Sequence, residues 1–305
     1  MIKITQDSKP TVAQLLQWAL SYNKIDRLDA EVLLVYVLGF TRTKLYAEHR
    51  QLVAAAQATQ FKQLVEKRST GYPLQYITGR QEFMSLDFHV REGVLIPRAD
   101  TEVLVEQALQ LLKEDTVKAD TNDLEAKETG AAAPGLLVAD VCTGSGAIGL
   151  SVAHYYPKAK VVLTDISPMA IEVASINREA LGLKDRVDIL QGDLLEPLEG
   201  LQLSMLLSNP PYISEQGWAI TEESVKGYEP RLALWGGADG LDFYRVIAVE
   251  AIEVLKPGGY LLLEIGFDQG ADVRGLLHQQ QGYRNIRVVQ DYGQRDRVVI
   301  AQKRE

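Results

Sequence analysis

The stretch DVCTGSGAIG at residues 140–149 decides the fold of this 305-residue chain. It follows an apolar run and opens an apolar helical pattern, so it predicts a strand, a tight turn and a helix. Gly144 and Gly146 have no side chain, which lets a ligand approach the loop backbone closely. Asp165 ends the next apolar run, where a carboxylate can accept hydrogen bonds from ribose hydroxyls. We therefore expect a nucleotide-binding α/β unit.

Strand and helix patterns alternate from residue 136 onward, as in a doubly wound parallel sheet. The predicted strands cover 136–142, 160–165, 187–191, 203–208 and 259–265, and the predicted helices cover 146–155, 168–181, 240–255 and 269–280. Two β-rich runs follow, at 283–290 and 296–302, with a turn at 292–294. We expect both runs to be antiparallel additions to the sheet.

The first 75 residues show helical patterns and predict a small helical bundle, with apolar faces within 12–19, 29–38 and 57–67. Residues 76–100 change character and predict a β-hairpin linker. Its apolar strands, at 83–90 and 94–96, are separated by the Arg-Glu-Gly sequence at 91–93.

Residues 101–305 are predicted to form the second domain, which opens with a helix over 102–112 capped by Asp100 or Thr101. The segment 113–134 is polar and has no apolar periodicity, so we expect a flexible surface insertion there.

Composition and charge limit the class of protein. The net charge is −9, yet residues 1–80 carry 11 basic and 6 acidic side chains, which leaves −14 on the remainder. An acidic second domain argues against long contact with a nucleic-acid backbone, while the basic front end fits an acidic protein, RNA or a merely solvated surface. The single cysteine, Cys142, excludes an internal disulfide, and we interpret it as a small buried residue.

Targeting and metal signals are missing from the sequence. The amino terminus does not resemble a signal peptide, and no apolar run approaches the ~20 residues that span a bilayer, so we expect a cytoplasmic protein. The four histidines are scattered without metal-ligand spacing, and we predict no metal site.

The segment SNPPYI at 208–213 ends the fourth predicted strand of the sheet. Asn209 precedes a proline and is biased toward an extended backbone, and Pro210 and Pro211 have fixed φ and no N–H. The stiff loop therefore offers the Asn209 side-chain oxygen and the Pro210 carbonyl as acceptors, beside the flat ring of Tyr212. Two acceptors can hold both N–H bonds of a planar NH2 group. The alternative is an ordinary strand-ending turn.

The identity of the bound nucleotide has two readings. GSGAIG at 144–149, with Asp165 about 20 residues further on, matches the dinucleotide fingerprint, so an NAD-binding protein is a competitor. Three features favour S-adenosylmethionine: Asp140 heads the loop, Asp193 ends the third strand within reach of an adenine amino group, and NPPY at 209–212 ends the fourth. Asp193 also fits a simple helix cap. The order of these strand ends resembles class I S-adenosylmethionine-dependent methyltransferases.

Eight segments carry a closer resemblance. They are RLDAE at 27–31, PLQYITG at 73–79, GVLIPRADTE at 93–102, TGSGAI at 143–148, SNPPYI at 208–213, EPRLAL at 229–234, GLDFYR at 240–245 and DRVV at 296–299. Together they resemble the release-factor glutamine N5-methyltransferases, the HemK/PrmC family, over nearly the whole chain. NPPY alone is shared with adenine- and cytosine-amino methyltransferases. Cys142 and Ala99 depart from the family pattern, which usually has glycine and proline there.

The resemblance implies an amino-terminal helical domain that recognises a peptide chain release factor, and a carboxyl-terminal catalytic domain. The methylated group would be the side-chain amide of glutamine in the Gly-Gly-Gln motif of that factor, and the methyl donor S-adenosyl-L-methionine. We expect a monomer without stable nucleic-acid or membrane contact. The alternatives are an adenine N6 methyltransferase and an NAD-binding Rossmann protein.

The predicted roles follow from these two lines of reasoning. The catalytic residues would be Asn209, Pro210 and Tyr212, and substrate binding would add Pro211 and Arg98. Cofactor binding is assigned to Cys142, Thr143, Gly144, Ser145, Gly146, Asp165, Asp193, Leu194 and Asn209.

Overall fold

The computed structural model describes the backbone of residues 9–126 and 136–305, and the side chains of these ranges except 115–126. The chain divides into two compact units. The first runs through Arg80 and also includes the later segment Glu222–Tyr228; the second comprises Gln81–Thr221 and Glu229–Glu305. The division lies five residues beyond the predicted end of the helical domain at residue 75. Within the described residues, no helix is both long and apolar enough to cross a bilayer.

The first unit is helical, as predicted. Its helices are α1 (Val12–Ala19), α2 (Arg27–Leu38), α3 (Arg42–Ala47), α4 (Ala55–Ser69) and α5 (Leu74–Thr78). Gly39 ends α2 in the left-handed conformation, with φ of 64°. The short helices α3 and α5 were not predicted, because six and five residues are too few to show an apolar period.

The RLDAE segment at 27–31 contains a buried carboxylate, that of Glu31. Glu31 is 1% exposed and accepts hydrogen bonds from Arg27 Nε (2.8 Å), Arg42 (2.8 Å) and the Tyr46 hydroxyl (2.7 Å). Burial alone would raise its pKa, but these donors together lower the pKa to about 2. Glu31 therefore stays ionised and joins α2 to α3, which is a structural role within the first unit.

The second unit is an α/β sandwich around a seven-stranded sheet. Its hairpin strands are β1 (Arg80–Phe83) and β2 (Leu86–His89), and its sheet strands are β3 (Leu136–Val141), β4 (Ala159–Asp165), β5 (Val187–Gln191), β6 (Leu203–Ser208), β7 (Leu255–Glu264), β8 (Tyr283–Gln290) and β9 (Asp296–Lys303). The helices are α6 (Glu102–Ala126), α7 (Ala147–Tyr155), α8 (Pro168–Ala180), α9 (Glu215–Ile220), α11 (Asp242–Val254) and α12 (Gly270–Gln279), while α10 (Glu223–Lys226) belongs to the first unit.

The sheet order is β5-β4-β3-β6-β7-β9-β8, which confirms the predicted doubly wound class. Strand β3 pairs in parallel with β4 on one side and with β6 on the other. Among the seven described strands of this sheet, β9 alone runs opposite to the others, since it is antiparallel to both β7 and β8. The prediction of two antiparallel additions is therefore correct for β9 and wrong for β8, which runs in the same direction as β7. The chain thus reverses its direction of winding at β3, where ligands of open α/β sheets bind.

Alternation along the buried strands builds two cores. In β7, Tyr260 and Leu262 pack on the face that carries α6 and α7, whereas Leu261 and Leu263 pack on the face that carries α11 and α12. Because both faces are covered, these strands show continuous apolar runs rather than a polar alternation.

The predicted β-hairpin is present, but its turn lies at residues 84–85 rather than at the predicted 91–93. Its turn is Met84-Ser85, both left-handed with φ of 51° and 57°, and residues 94–96 form no strand. Phe83 and Phe88 lie on the two strands and pack edge to face, with ring centroids 6.1 Å apart. The chain therefore folds back between them, although no turn-forming glycine marks the place.

The helix predicted over 102–112 extends further than expected, into the segment 113–134 that was predicted to be a flexible insertion. Helix α6 continues from Glu102 through Ala126, and the rest of the segment lies outside the described residues. The sequence 102–126 contains no glycine or proline, so intrinsic helix propensity extends the helix after its apolar face has ended.

We predict that Ser151→Ala stabilises the second unit. Ser151 is fully buried in α7 and its hydroxyl has no partner among the described residues. Alanine removes an unsatisfied polar atom and is the better helix former, so urea denaturation should show a free energy of unfolding higher by about 1 kcal/mol.

The matched control is Ser175→Ala in α8, because the Ser175 hydroxyl donates to the Ile171 carbonyl at 2.8 Å. It should give no gain. Equal gains for the two variants, or a loss for Ser151→Ala, would contradict the explanation.

Candidate functional site

A cleft opens at the carboxyl ends of β3, β4 and β6, beside the switch point of the sheet. Its empty volume is about 980 Å³ including the open mouth, which suits a ligand of nucleoside size or larger. Within the described residues, no group of histidine, cysteine, aspartate or glutamate side chains is arranged to hold a metal ion.

Most of the predicted site residues line this cleft. Those that do are Arg98, Cys142, Thr143, Gly144, Ser145, Asp165, Asp193, Leu194, Asn209 and Pro211. The cleft lining does not include Gly146, Pro210 or Tyr212. Gly146 is the N-cap residue of α7, with φ of 83°, and Pro210 is buried. The segment before α6 contributes Gly93, Val94, Leu95, Pro97 and Thr101 to the lining, which the sequence analysis did not assign.

The backbone of the glycine-rich loop contains residues in the left-handed conformation and is hydrogen-bonded to β4. Cys142 begins it with a φ of 60°, and Thr143 N donates to the Thr164 carbonyl at 3.0 Å. Gly144 also has positive φ, of 56°, and a β-carbon placed there would meet nothing within 4 Å. The left-handed conformation at Cys142 is the one that the glycine usual in the family would adopt at no steric cost.

Cys142 is not set up as a nucleophile. Burial is the main cause that raises the pKa of its thiol far above the ordinary value, and the negative charges of Asp165 and Asp140 act in the same direction. The thiol is therefore protonated at neutral pH, although the residue is half-buried at the cleft rather than fully buried as predicted.

The Asp140 carboxyl holds the glycine-rich loop through two hydrogen bonds. It is fully buried, and its Oδ2 atom accepts hydrogen bonds from the Thr143 hydroxyl (2.6 Å) and from Gly149 N (2.9 Å). Gly149 is required here, since a β-carbon would lie 2.3 Å from the Leu163 side chain and 2.9 Å from that of Asp140. Burial raises the pKa of Asp140 to about 7, although both hydrogen bonds oppose that shift.

Asp165 and Asp193 present carboxylates to the cleft. In Asp165, Oδ2 accepts from Gly144 N and Oδ1 from Ser167 N, both at 2.9 Å. Each oxygen uses one of its two lone pairs in this way, so a ligand hydroxyl can still bind. Burial raises the pKa of Asp165, against the effect of these backbone donors. Asp193 is exposed, and its backbone carbonyl accepts from Glu196 N at 3.0 Å.

The loop that contains Asn209 is fixed by contacts on both sides. Before it, the Ser208 hydroxyl donates to the Val141 carbonyl of β3 at 2.7 Å. After it, the Tyr212 carbonyl accepts from Gln269 Nε2 at 3.0 Å, and Ile213 N donates to the Leu234 carbonyl at 2.8 Å. The half-buried Asn209 side chain is therefore presented to the cleft by a rigid backbone.

The Tyr212 ring packs against the core on the α11 side of the sheet. Burial, followed by the neighbouring charge of Glu264, raises the pKa of its hydroxyl to about 12. The ring is thus a neutral support beside the loop.

Three residues in and behind the cleft were missed as site residues. Glu229 is 6% exposed, pairs with Arg98 and accepts from Ile96 N at 3.2 Å. Thr101 lines the cleft, and Glu264, only 2% exposed, ends β7 beside Asn209. An acidic residue at the end of an apolar strand was the signal used for Asp165, and the same signal would have found Glu264.

Comparison with protein families gives two matches. Residues 14–79 match the PrmC N-terminal domain, and residues 129–237 match the methyltransferase small domain. The chain is 49% identical over 279 residues to the release factor glutamine methyltransferase of Moorella thermoacetica, covering 92% of each chain. It is 44% identical over 275 residues to the protein of the same name from Clostridium acetobutylicum, covering 90% of each.

Among solved structures, the chain is similar to a methyltransferase from Pyrococcus furiosus. The similarity covers 56% of this chain and 76% of that chain, with 18% sequence identity and a TM-score of 0.43.

Asp140 should make stability depend on pH. Its pKa is about 7 in the folded chain against an ordinary 3.8, so the folded state binds the proton more tightly. This contribution to stability is complete below pH 3.8 and is lost as the pH rises through 7. We predict that wild type loses stability between pH 5 and 8 relative to Asp140→Asn, as measured by urea denaturation at constant ionic strength.

Asp188→Asn, an exposed position on β5, is the matched control for the loss of one carboxyl. Parallel curves for wild type and Asp140→Asn would show that Asp140 does not titrate in this range.

Proposed function

This chain belongs to the family of release factor glutamine methyltransferases, and we propose that it methylates the side-chain amide nitrogen of the glutamine in the Gly-Gly-Gln motif of peptide chain release factors. The observation that carries the proposal is the shared cleft. Asn209, on a rigid loop, lines the same cavity as the Gly144 loop and the Asp165 carboxylate. An acceptor for an amide NH2 group and a nucleotide cradle thus meet at one switch point.

S-adenosyl-L-methionine fits the residues of this cleft as the methyl donor. It supplies a methyl group on a positively charged sulfur. The free lone pairs of Asp165 suit ribose hydroxyls, and the Asp193 carboxylate suits an adenine amino group. Gly144, where a β-carbon would project into open space, leaves room for the methionine part against the loop backbone.

Asn209 and Pro210 hold the substrate amide in this proposal. An amide nitrogen is a weak nucleophile because its lone pair is delocalised into the carbonyl, so orientation has to supply much of the rate. The Asn209 Oδ1 atom and the Pro210 carbonyl would accept its two N–H bonds, and no described residue donates to that carbonyl. Their partial negative charges would stabilise the positive charge that develops on nitrogen as the new N–C bond forms and the sulfur–methyl bond breaks, which would leave the donor as a neutral thioether. The methylated nitrogen would then lose one of its two protons to water.

Tyr212 and Arg98 have supporting roles. Because the half-buried Tyr212 ring packs against the core and is not part of the cleft lining, we assign it the support of the Asn-Pro-Pro backbone. Arg98 lines the cleft as the partner of the buried Glu229 carboxylate and is 42% exposed. A guanidinium fixed in this way is suited to orienting a peptide carbonyl of the substrate loop. A monomeric state, a cytoplasmic location and the absence of stable nucleic-acid contact remain our predictions.

Asn209→Ala tests the proposed function. Removing one preorganised acceptor should lower kcat by about 100-fold or more, while S-adenosylhomocysteine still binds. The assay follows transfer of labelled methyl groups to a purified release factor, with a release factor lacking the motif glutamine as the substrate control.

Gln202→Ala is the matched enzyme variant. It removes an exposed amide next to the opposite end of β6 and should leave turnover unchanged. Unchanged turnover of Asn209→Ala would reject the clamp, whereas label on bulk DNA or RNA but not on the release factor would favour the nucleic-acid alternative.

Ligand-induced stabilisation separates the proposed cofactor from NAD. A ligand present at 100 times its dissociation constant stabilises a protein by ~2.7 kcal/mol, so S-adenosylhomocysteine should raise the melting temperature by several degrees and NAD should not. Asp165→Asn should weaken this shift, because it places N–H donors where the hydroxyls would donate. A shift with NAD alone would overturn the cofactor assignment.

A further inference from the structure

Glu264 and Thr101 form a buried polar pair next to the Asn209 side chain. The parallel register Ser208↔Leu263 places Asn209 and Glu264 side by side at the ends of β6 and β7. Glu264 is 2% exposed and Thr101 is 4% exposed. An acidic side chain this deeply buried needs a partner, yet Glu264 Oε2 has none among the described residues.

The nearby cation is already engaged. Arg297, on β9, binds Asp291 at 3.1 Å and Asp100 at 3.2 Å, and no ion pair with Glu264 is formed in the described part of the chain. Burial raises the pKa of the Glu264 carboxyl, and hydrogen bonding by the neighbouring Thr101 and Asn209 side chains acts in the opposite direction. Asn209 Nδ2 in turn donates to Thr101 Oγ1 at 3.5 Å.

The direction of this chain of hydrogen bonds is set by its buried end. An ionised carboxylate can only accept, so the Thr101 hydroxyl must donate to Glu264. The Thr101 oxygen is then left as an acceptor for Asn209 Nδ2. With its NH2 group directed to Thr101 and to the Glu264 carboxyl, the Asn209 amide directs Oδ1 to the other side, toward the cleft. A protonated Glu264 would be able to donate instead, which permits the reverse direction.

We propose that Glu264, acting through Thr101, is a positioning residue that keeps the Asn209 Oδ1 atom turned toward the substrate amide. This inference rests on the proposed function, because it assigns the clamp its orientation. It gives Glu264 no contact with the substrate and no part in bond making.

Thr101 variants provide the first test. Thr101→Val keeps the shape but removes the hydroxyl, so kcat should fall by about 10-fold or more while KM for the release factor changes by less than about 3-fold. Thr101→Ser restores a hydroxyl and should recover most of the activity. Ser151→Ala, which removes a buried hydroxyl from α7, is the matched control and should leave kcat unchanged.

The pH profile provides the second test. Burial raises the pKa of Glu264 to about 7, so kcat of wild type should rise with pH around that value as the carboxylate forms. Glu264→Gln cannot ionise and offers both a donor and an acceptor, so this step should vanish and kcat should stay low. Asp140 also has a pKa of about 7. Because Asp140 holds the glycine loop, Asp140→Asn should lower kcat at every pH, but the pH step should remain in that variant.

The other groups around Glu264 titrate outside this range or remain charged. Burial raises the pKa of Tyr212 to about 12 and that of Tyr244 well above its ordinary value. The guanidinium of Arg297, whose pKa is raised by its hydrogen bond to Asp291 despite burial, stays positive, and the exposed Asp100 is its ion-pair partner.

A readout independent of turnover is the side-chain amide resonance of Asn209, assigned by its loss in Asn209→Ala. In wild type this resonance should titrate with a midpoint near 7, and in Glu264→Gln it should not. The thermal shift with S-adenosylhomocysteine checks that each variant is folded. If a variant fails to fold, the wild-type titration alone decides, and a resonance that does not titrate overturns the inference.

Failure of this inference is distinguishable from failure of the proposed function. If wild type does not methylate a release factor, the function is wrong. If wild type is active and Thr101→Val matches it in kcat and in pH profile, only the positioning role is wrong.

Discussion

The meeting of parallel strand ends at β3 is the constraint on which the site depends. Since β4 lies on one side of β3 and β6 on the other, the loops that follow these strands diverge and leave a cleft between them. The glycine loop, the Asp165 carboxylate and the Asn-Pro-Pro-Tyr loop are distant in sequence but share this single edge. Their contacts with each other, such as Gly144 N with Asp165 and Ser208 with the Val141 carbonyl, hold the edge in one arrangement.

Buried carboxyls organise that edge at an electrostatic cost. Asp140 holds the glycine loop, Asp165 accepts from the backbone of Gly144 and Ser167, and Glu264 lies beside Asn209 at the end of β7. Burial raises the pKa of all three, because the protein supplies fewer donors than water would. Groups whose charge is this poorly compensated cluster at functional sites, where orientation matters more than stability.

The first unit contains a buried carboxylate, that of Glu31, whose charge is fully compensated. Glu31 is as inaccessible to solvent as Glu264, but it lies near the surface beside the exposed Arg27 and Arg42 side chains. Three donors satisfy it, and its pKa falls to about 2. A fully compensated carboxylate has no spare interaction to offer a ligand, so it fixes helices α2 and α3 to each other. The two glutamates show that burial alone does not mark a functional residue; Glu264 differs from Glu31 in having an unsatisfied oxygen and in lying at a strand end beside the cleft.

The sequence by itself determined the alternation of strands and helices, the glycine loop, and the residues Asp165, Asp193 and Asn209, because each follows an apolar run whose period is local. It misplaced the hairpin turn and the end of α6. No turn-forming glycine marks Met84-Ser85, which lies between the packed rings of Phe83 and Phe88, and the residues after 112 stay helical without an apolar stripe.

Only the tertiary structure decided which strand ends are neighbours. The pairing of β6 with β7 brings Glu264 beside Asn209, and the segment before α6 brings Thr101 to both. These residues are more than 50 positions apart in sequence, and no local pattern records their contact. The order of strands in a sheet is set by long-range packing, so the partners of the predicted clamp became visible only in the folded chain.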